Sequence, residues 1–257
     1  MKKIFIAVIL SISMTVLLPQ IFTAEEVTEE IAVTETIIPI EIPLVNKSNL
    51  LSKDYAPDTF INISNFVPAT KNSILLESTA AINFVEMYNA MLSDGITGFA
   101  AVSGYRDYAY QTNLFKRKVA SYSHLSAEAA YEAASRVVAP PGASEHQLGL
   151  AIDVSEKSIK YGLVKSYEKT KSFQWLGENA WKYGYILRYD KNTTDITQII
   201  YEPWHYRFVG VEHATAIVNS GLTLEEYIEM LQERVEIEEE EIEEEEIEEE
   251  EIVILGD

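Results

Sequence analysis

The sequence predicts a small α+β domain. Three observations carry that reading. Segments with helical spacing alternate irregularly with short apolar runs, without the regular strand–helix repeat of a parallel sheet. Glycine and proline punctuate the joints between them. The stretch 45–235 is almost charge-balanced, with 18 Lys/Arg against 21 Asp/Glu, although the 257-residue chain has a formal net charge of −21. The acidity belongs to the flanks, where residues 25–44 contribute −6 and residues 236–257 contribute −14. That distribution argues against a nucleic-acid partner, because phosphate binding needs a basic surface. The absence of cysteine excludes disulfides, thiol catalysis and thiolate metal ligands, so a metal here must use His, Asp or Glu.

The elements follow in order. Lys2 and Lys3 precede an apolar run from Ile4 to Leu18, broken by Pro19, which is the pattern of an export signal over residues 1–24. Ala24 suits a cleavage site and Phe22 does not, so cleaved secretion and an uncleaved N-terminal membrane anchor both stay open. Either outcome predicts an extracellular or cell-envelope location. Residues 25–45, without Lys or Arg, read as an acidic extended linker. The domain is expected over 46–235. Ile82, Val85, Tyr88 and Leu92 recur at helical spacing within Ala80–Leu92. Gly98–Ser103 reads as a buried strand. Asp107 caps a helix running to about Ala120, and Ser126 opens an alanine-rich helix to Arg136. Pro140-Pro141-Gly142 forces a turn. Leu148–Val154 reads as a strand, Ser172–Tyr183 as a helix, and Tyr185–Tyr189 and Trp204–Val209 as strands. Val211–Asn219 is helical. Thr223 with Glu226 is a capping box opening a last helix to about Val235. In the tail 236–257, Ile237, Ile242, Ile247 and Ile252 recur every five residues among glutamates. That step cannot form one helical stripe, so the tail reads as a solvated low-complexity segment with no assignable partner.

The chain has four histidines, and two sit in dense polar motifs. One motif is Ser144-Glu145-His146-Gln147-Leu148-Gly149-Leu150-Ala151-Ile152-Asp153. A turn at Leu148-Gly149 leading into a strand lets His146 and Asp153 face one point. The other is Glu202-Pro203-Trp204-His205-Tyr206-Arg207, where Glu202 and His205 can approach one centre across a short extended or turning segment. Two histidines and an aspartate suit zinc and leave a fourth position for water, and Glu202 is the candidate base. On spacing alone each motif also admits a structural histidine. His213 reads as a packed or hydrogen-bonded residue, His124 as exposed, and Arg207 as a structural ion-pair partner. Trp175, Trp181 and Trp204 read as core or pocket wall.

Ser-x-His-x-x-Gly-x-Ala-x-Asp followed by Glu-x-Trp-His-x-Arg resembles the VanY-type D-alanyl-D-alanine carboxypeptidases. Their zinc peptidase superfamily also holds VanX-type dipeptidases and the hedgehog N-terminal fold. Ser103-Gly104-Tyr105-Arg106, with Tyr110-Gln111 and Leu114-Phe115, is a third matching segment. The resemblance spans roughly residues 45–220. It implies a small antiparallel sheet with flanking helices. It further implies zinc ligands at His146, Asp153 and His205, a catalytic base at Glu202, and an oxyanion-stabilising arginine at Arg106. Ser144 and Gln111 match substrate-lining positions. The implied activity is removal of a C-terminal D-alanine from a peptidoglycan stem peptide or its precursor. L,D-carboxypeptidase and endopeptidase activities share the motif. A non-catalytic, zinc-containing wall-binding module would need neither Glu202 nor Arg106.

Overall fold

In the computed structural model of the chain, residues 42–237 are described. The export signal and all but the first two residues of the acidic tail lie outside them, as does most of the linker. Among the described residues no helix is long and apolar enough to cross a membrane.

The central feature is a four-stranded antiparallel sheet built from β3 (Phe99–Ser103), β4 (Ala151–Glu156), β5 (Tyr185–Leu187) and β6 (His205–Phe208), in the order β3-β4-β6-β5. A separate two-stranded ribbon pairs β1 (Phe60–Asn62) with β2 (Leu75–Glu77). Strands of three residues offer too little alternation to read from sequence, and neither β1 nor β2 is among the expected elements. The helices are α1 (Ser78–Ser93), α2 (Tyr108–Ala120), α3 (Ala127–Ser135), α4 (Lys171–Asn179), the single turn α5 (Thr194–Thr197) and α6 (Val211–Ser220). A last helix, α7, occupies residues 224–237. The expected helix over Ser172–Tyr183 is α4 followed by a tighter 3-10 turn, Ala180–Tyr183.

The caps are those the side chains dictate. Asp107 accepts from the Tyr110 amide at 2.6 Å at the start of α2. At α7 the Thr223 amide donates to Glu226 at 2.8 Å and the Glu226 amide returns to Thr223 Oγ1 at 3.3 Å. In α1 the helix is as expected but its inner face is not. Ile82 and Leu92 are exposed, while Ala80, Ala81, Phe84, Met87 and Met91 are buried. The helix is apolar on two stripes, and the one with the larger aromatic and thioether side chains takes the sheet.

Alternation divides the sheet by chemistry. Ile152, Val154, Tyr185 and Tyr206 point into the main core with Phe84, Met87 and Leu76. Tyr185 also donates its hydroxyl to the Ala80 carbonyl at 2.6 Å, fastening α1 to the sheet. Asp153, His205 and Arg207 occupy the opposite face, where Asp153 pairs in register with His205 and Ile186 with Arg207. A second core joins Ile186 and Val209 to Ile217, Leu224 and Leu231, and it buries Ile42. Val45 is buried too, so the last residues of the segment read as linker are packed against the domain.

Candidate active site

The site lies on the polar face of the sheet. Asp153 and His205 are cross-strand partners, which brings His205 Nδ1 to 3.2 Å from Asp153 Oδ1. His146 reaches the same carboxylate from outside the sheet. It sits in a 3-10 turn, Glu145–Leu148, and β4 starts at Ala151 rather than at the expected Leu148. Gly149 ends that turn at φ 69, in the left-handed region, and a Cβ there would stand 3.0 Å from the Glu77 amide nitrogen. The chain is thereby folded back so that His146 Nε2 lies 3.4 Å from Asp153 Oδ2.

Glu202 arrives through a tight turn. Its carbonyl accepts from the His205 amide at 3.1 Å, with Pro203 in the position that favours such a turn. Its carboxylate then stands 3.9 Å from His205 Nδ1. Arg106 follows β3, and its Nη1 is 3.6 Å from Asp153 Oδ2. Between Ala101 and Ser103 the β3–β4 register shifts by one residue. A bulge of this kind re-aims side chains, and Val102 and Ser103 both line the site cavity.

Each histidine is held by its remote nitrogen. His146 Nδ1 is 2.7 Å from the Gly104 carbonyl, an acceptor that can only take a proton, so Nε2 carries the lone pair. His205 Nε2 is 3.2 Å from Glu145 Oε2, which leaves Nδ1 facing Asp153. Backing of this type orients metal-binding imidazoles. The three donor atoms lie within 4.8 Å of one another, and all three residues are buried. Ligands at about 2.0–2.1 Å in a tetrahedron stand about 3.3–3.4 Å apart, close to the His–Asp separations here. His146 Nε2 is a buried nitrogen without a hydrogen-bond partner. The donor set therefore fits a zinc ion.

The electrostatics are those of a site organised around a cation. Burial, reinforced by Arg106, lowers His146 to about 4, so its imidazole is neutral. Burial also opposes a charged His205, but its bonds to Asp153 and Glu145 outweigh that and raise it to about 9. Asp153 is held far below the usual carboxylate range, since His146, His205 and Arg106 overcome its burial. Glu202 goes the other way. Burial raises it to about 8, with Asp153 adding repulsion against the pull of His205 and Arg106.

These groups open onto a cavity of about 370 Å³. Ser144, Tyr110 and Trp204 line it, with Leu114, Val138 and Ile199 among its apolar walls. Of the two residues matched to substrate-lining positions, Ser144 lines this cavity. Gln111 is buried beneath the wall, outside the lining, and donates Nε2 to the Ala139 carbonyl at 2.7 Å. It shapes the cavity through that loop. His124 is exposed, and His213 Nδ1 meets the Tyr227 hydroxyl at 3.0 Å. Arg207 pairs with Glu145 at 2.9 Å. Trp175 is core.

The profile of VanY, D-alanyl-D-alanine carboxypeptidase, matches residues 73–211. The chain belongs to the VanY family. A D-alanyl-D-alanine carboxypeptidase of Enterococcus faecium is 31% identical over 221 residues, which cover 84% of this chain and 66% of that protein. Among solved structures, the LdcB LD-carboxypeptidase is 38% identical with a TM-score of 0.65, covering 72% of this chain and 84% of the other. VanYB in complex with D-alanine-D-alanine is 34% identical with a TM-score of 0.61, covering 72% and 96%. A VanY variant in complex with Zn(II) superposes with a TM-score of 0.59 at 34% identity, covering 72% and 97%. This VanY-family chain is a zinc metallopeptidase, and the buried His146–Asp153–His205 group is where its fold can hold the ion.

Glu145 and Arg188 were not singled out by their sequence positions. Both are buried charges, and they join at 2.7 Å. The one available signal was an arginine inside the apolar run Tyr185–Tyr189 and a glutamate inside the Ser144–Asp153 motif.

Proposed function

We propose that the chain removes the C-terminal D-alanine of a peptidoglycan stem peptide, with His146, Asp153 and His205 holding zinc and Glu202 as the base. The observation that supports this reading best is geometric. The buried donor atoms of His146, Asp153 and His205 lie within 4.8 Å of one another, and the Glu202 carboxylate stands beside them, 3.9 Å from His205 Nδ1. A general base must stand within reach of the water it deprotonates. When bound, zinc supplies a Lewis acid and lowers the pKa of a coordinated water to about 7.

The chain's own groups account for the rest. Glu202 accepts the proton of the attacking water and returns it to the leaving amine. Arg106, its Nη1 facing Asp153 across 3.6 Å, stabilises the oxyanion that develops on the scissile carbonyl. Ser144 lies on the wall where the peptide backbone or terminal carboxylate is bound. The apolar walls exclude water around the reacting bond. Substrate and N-terminal pattern agree on an exported enzyme, secreted or anchored by residues 1–24.

A second reading is favoured by the likeness to LdcB, a LD-carboxypeptidase. The zinc and base chemistry would be unchanged, and only the residue preceding the terminal D-alanine would differ. Mass spectrometry of products from tetra- and pentapeptide stems decides between them. Glu202→Ala is expected to retain one zinc per chain and to lose hydrolysis by about 10²–10⁴-fold. Full activity in that variant would overturn the mechanism.

A further inference from the structure

Against the Nε2 side of His205 lies a cluster of four charges, of which Glu145, Arg188 and Arg207 are buried and Glu225 is partly exposed. Glu145 Oε2 faces His205 Nε2 at 3.2 Å, and its Oε1 accepts from Arg188 Nε at 2.7 Å and from Arg207 Nη1 at 2.9 Å. The free end of Arg188 is then taken by a residue of α7. Its Nη1 and Nη2 bond the two carboxylate oxygens of Glu225 at 2.8 and 2.6 Å, the paired geometry that suits a guanidinium and a carboxylate. Arg207 is held separately by the Pro43 carbonyl at 2.7 Å. Two carboxylates and two guanidiniums balance, which offsets the cost of burying Glu145, Arg188 and Arg207.

We propose that Glu225 is a positioning residue for the metal site, acting on His205 through Arg188 and Glu145. It lies beyond residue 211, where the VanY-matched region ends, so the support of this site extends outside the segment that carries the family motifs. The inference rests on the zinc reading of the site. Without the Glu225 carboxylate, Arg188 keeps only its Nε bond and turns its whole charge on Glu145. Glu145 then faces two guanidiniums alone, and its contact with His205 Nε2 is the one that yields. His205 loses the bond that fixes Nε2–H and with it the presentation of Nδ1 to the ion.

Apo-protein titrated with Zn²⁺ against a competing chelator tests this, with Co²⁺ absorption as a report on ligand geometry. Glu225→Gln preserves shape and removes the charge. It is expected to weaken zinc about 10–100-fold, the usual effect of losing a group behind a ligand, and to alter the Co²⁺ spectrum. Glu226→Ala removes the cap of the same helix without touching the cluster, and should lower thermal stability while leaving zinc affinity unchanged. A Glu225→Gln protein that binds zinc like the parent overturns the proposal. So does an equal loss of affinity in Glu226→Ala, which would make the effect one of helix stability. If Glu225→Gln does not fold by near-UV circular dichroism, Glu225→Met, which also removes the charge while keeping the length of the side chain, is judged by the same two criteria. A parent protein that binds no zinc would instead defeat the metal reading itself.

Discussion

Glu202 meets two opposed demands at one position. As the proposed base it must ionise, and as a buried group it resists ionising, which is why its pKa rises to about 8. An unfolded glutamate releases its proton near 4.3. Between that value and about 8 the folded state binds the extra proton, so the stability of the metal-free protein falls as pH rises through this window. Replacing Glu202 by Gln removes that penalty. Metal-free Glu202→Gln is expected to match the parent near pH 4.5 and to exceed it by roughly 1–3 kcal/mol at pH 7–8, read from urea melts across pH. A variant less stable than the parent at pH 8 would contradict the burial argument. His205 has a related consequence for the ion. In the metal-free state it keeps its proton up to about 9, and zinc must displace that proton. Apparent zinc affinity should therefore rise with pH, by about tenfold per unit between pH 7 and 9, and each binding event should release a proton measurable by calorimetry in buffers of different ionisation enthalpy. Affinity that stays flat over this range would mean that His205 is already neutral.

At the scale of elements, the site depends on close approach as much as on ligand identity. The segment Gly104–Arg106 is wedged between β2 and the 3-10 turn. Tyr105 donates its amide to the Leu75 carbonyl at 2.7 Å, Arg106 donates its amide to the His146 carbonyl at 3.2 Å, and the Gly104 carbonyl accepts from His146 Nδ1. A Cβ on Gly104 would stand 2.3 Å from the Leu75 carbonyl oxygen, closer than any real contact. Gly104→Ala must push the ribbon and this segment apart. The expected result is a loss of about 1–3 kcal/mol in stability, as for other overpacked sites, together with weaker zinc binding because His146 loses its fixed partner. Unchanged chelator competition in this variant would show that His146 is oriented without Gly104. That His146, Asp153 and His205 come together was legible from sequence because scarce histidines stood in motifs whose order matches the family's. The wedge was not, because β1 and β2 are three residues each and their partner contacts are long-range. The 3-10 turn at Glu145–Leu148 was hidden for a similar reason, since its apolar Leu148 continues into the β4 run and periodicity alone does not mark where the strand begins. The inner stripe of α1 was ambiguous in sequence because both of its candidate faces are apolar.

At the scale of the molecule, a zinc ion held by the proposed ligands would join parts that the chain brings together only by folding. His146 comes from a turn, Asp153 from β4 and His205 from β6, and the Glu145 cluster extends the same support to α7 and to the backbone at Pro43. That residues near both ends of the described segment converge behind His205 was not legible in the sequence, because contacts such as Arg207–Pro43 and Arg188–Glu225 leave no local pattern. An ion that binds this assembled geometry and not the unfolded chain stabilises by mass action. At free zinc 100 times the dissociation constant, the gain is about 2.7 kcal/mol. For a domain of this size, that corresponds to a rise of roughly 5–11 °C in melting temperature. Removing zinc with a chelator should lower the melting temperature by that amount, and returning zinc should restore it. The Asp153→Asn variant should show almost none of this difference, because it replaces the one ionised ligand shared by both histidines. A metal-independent melting temperature in the parent would mean that the three residues are assembled by the protein alone, and that the ion draws no stability from the fold it completes.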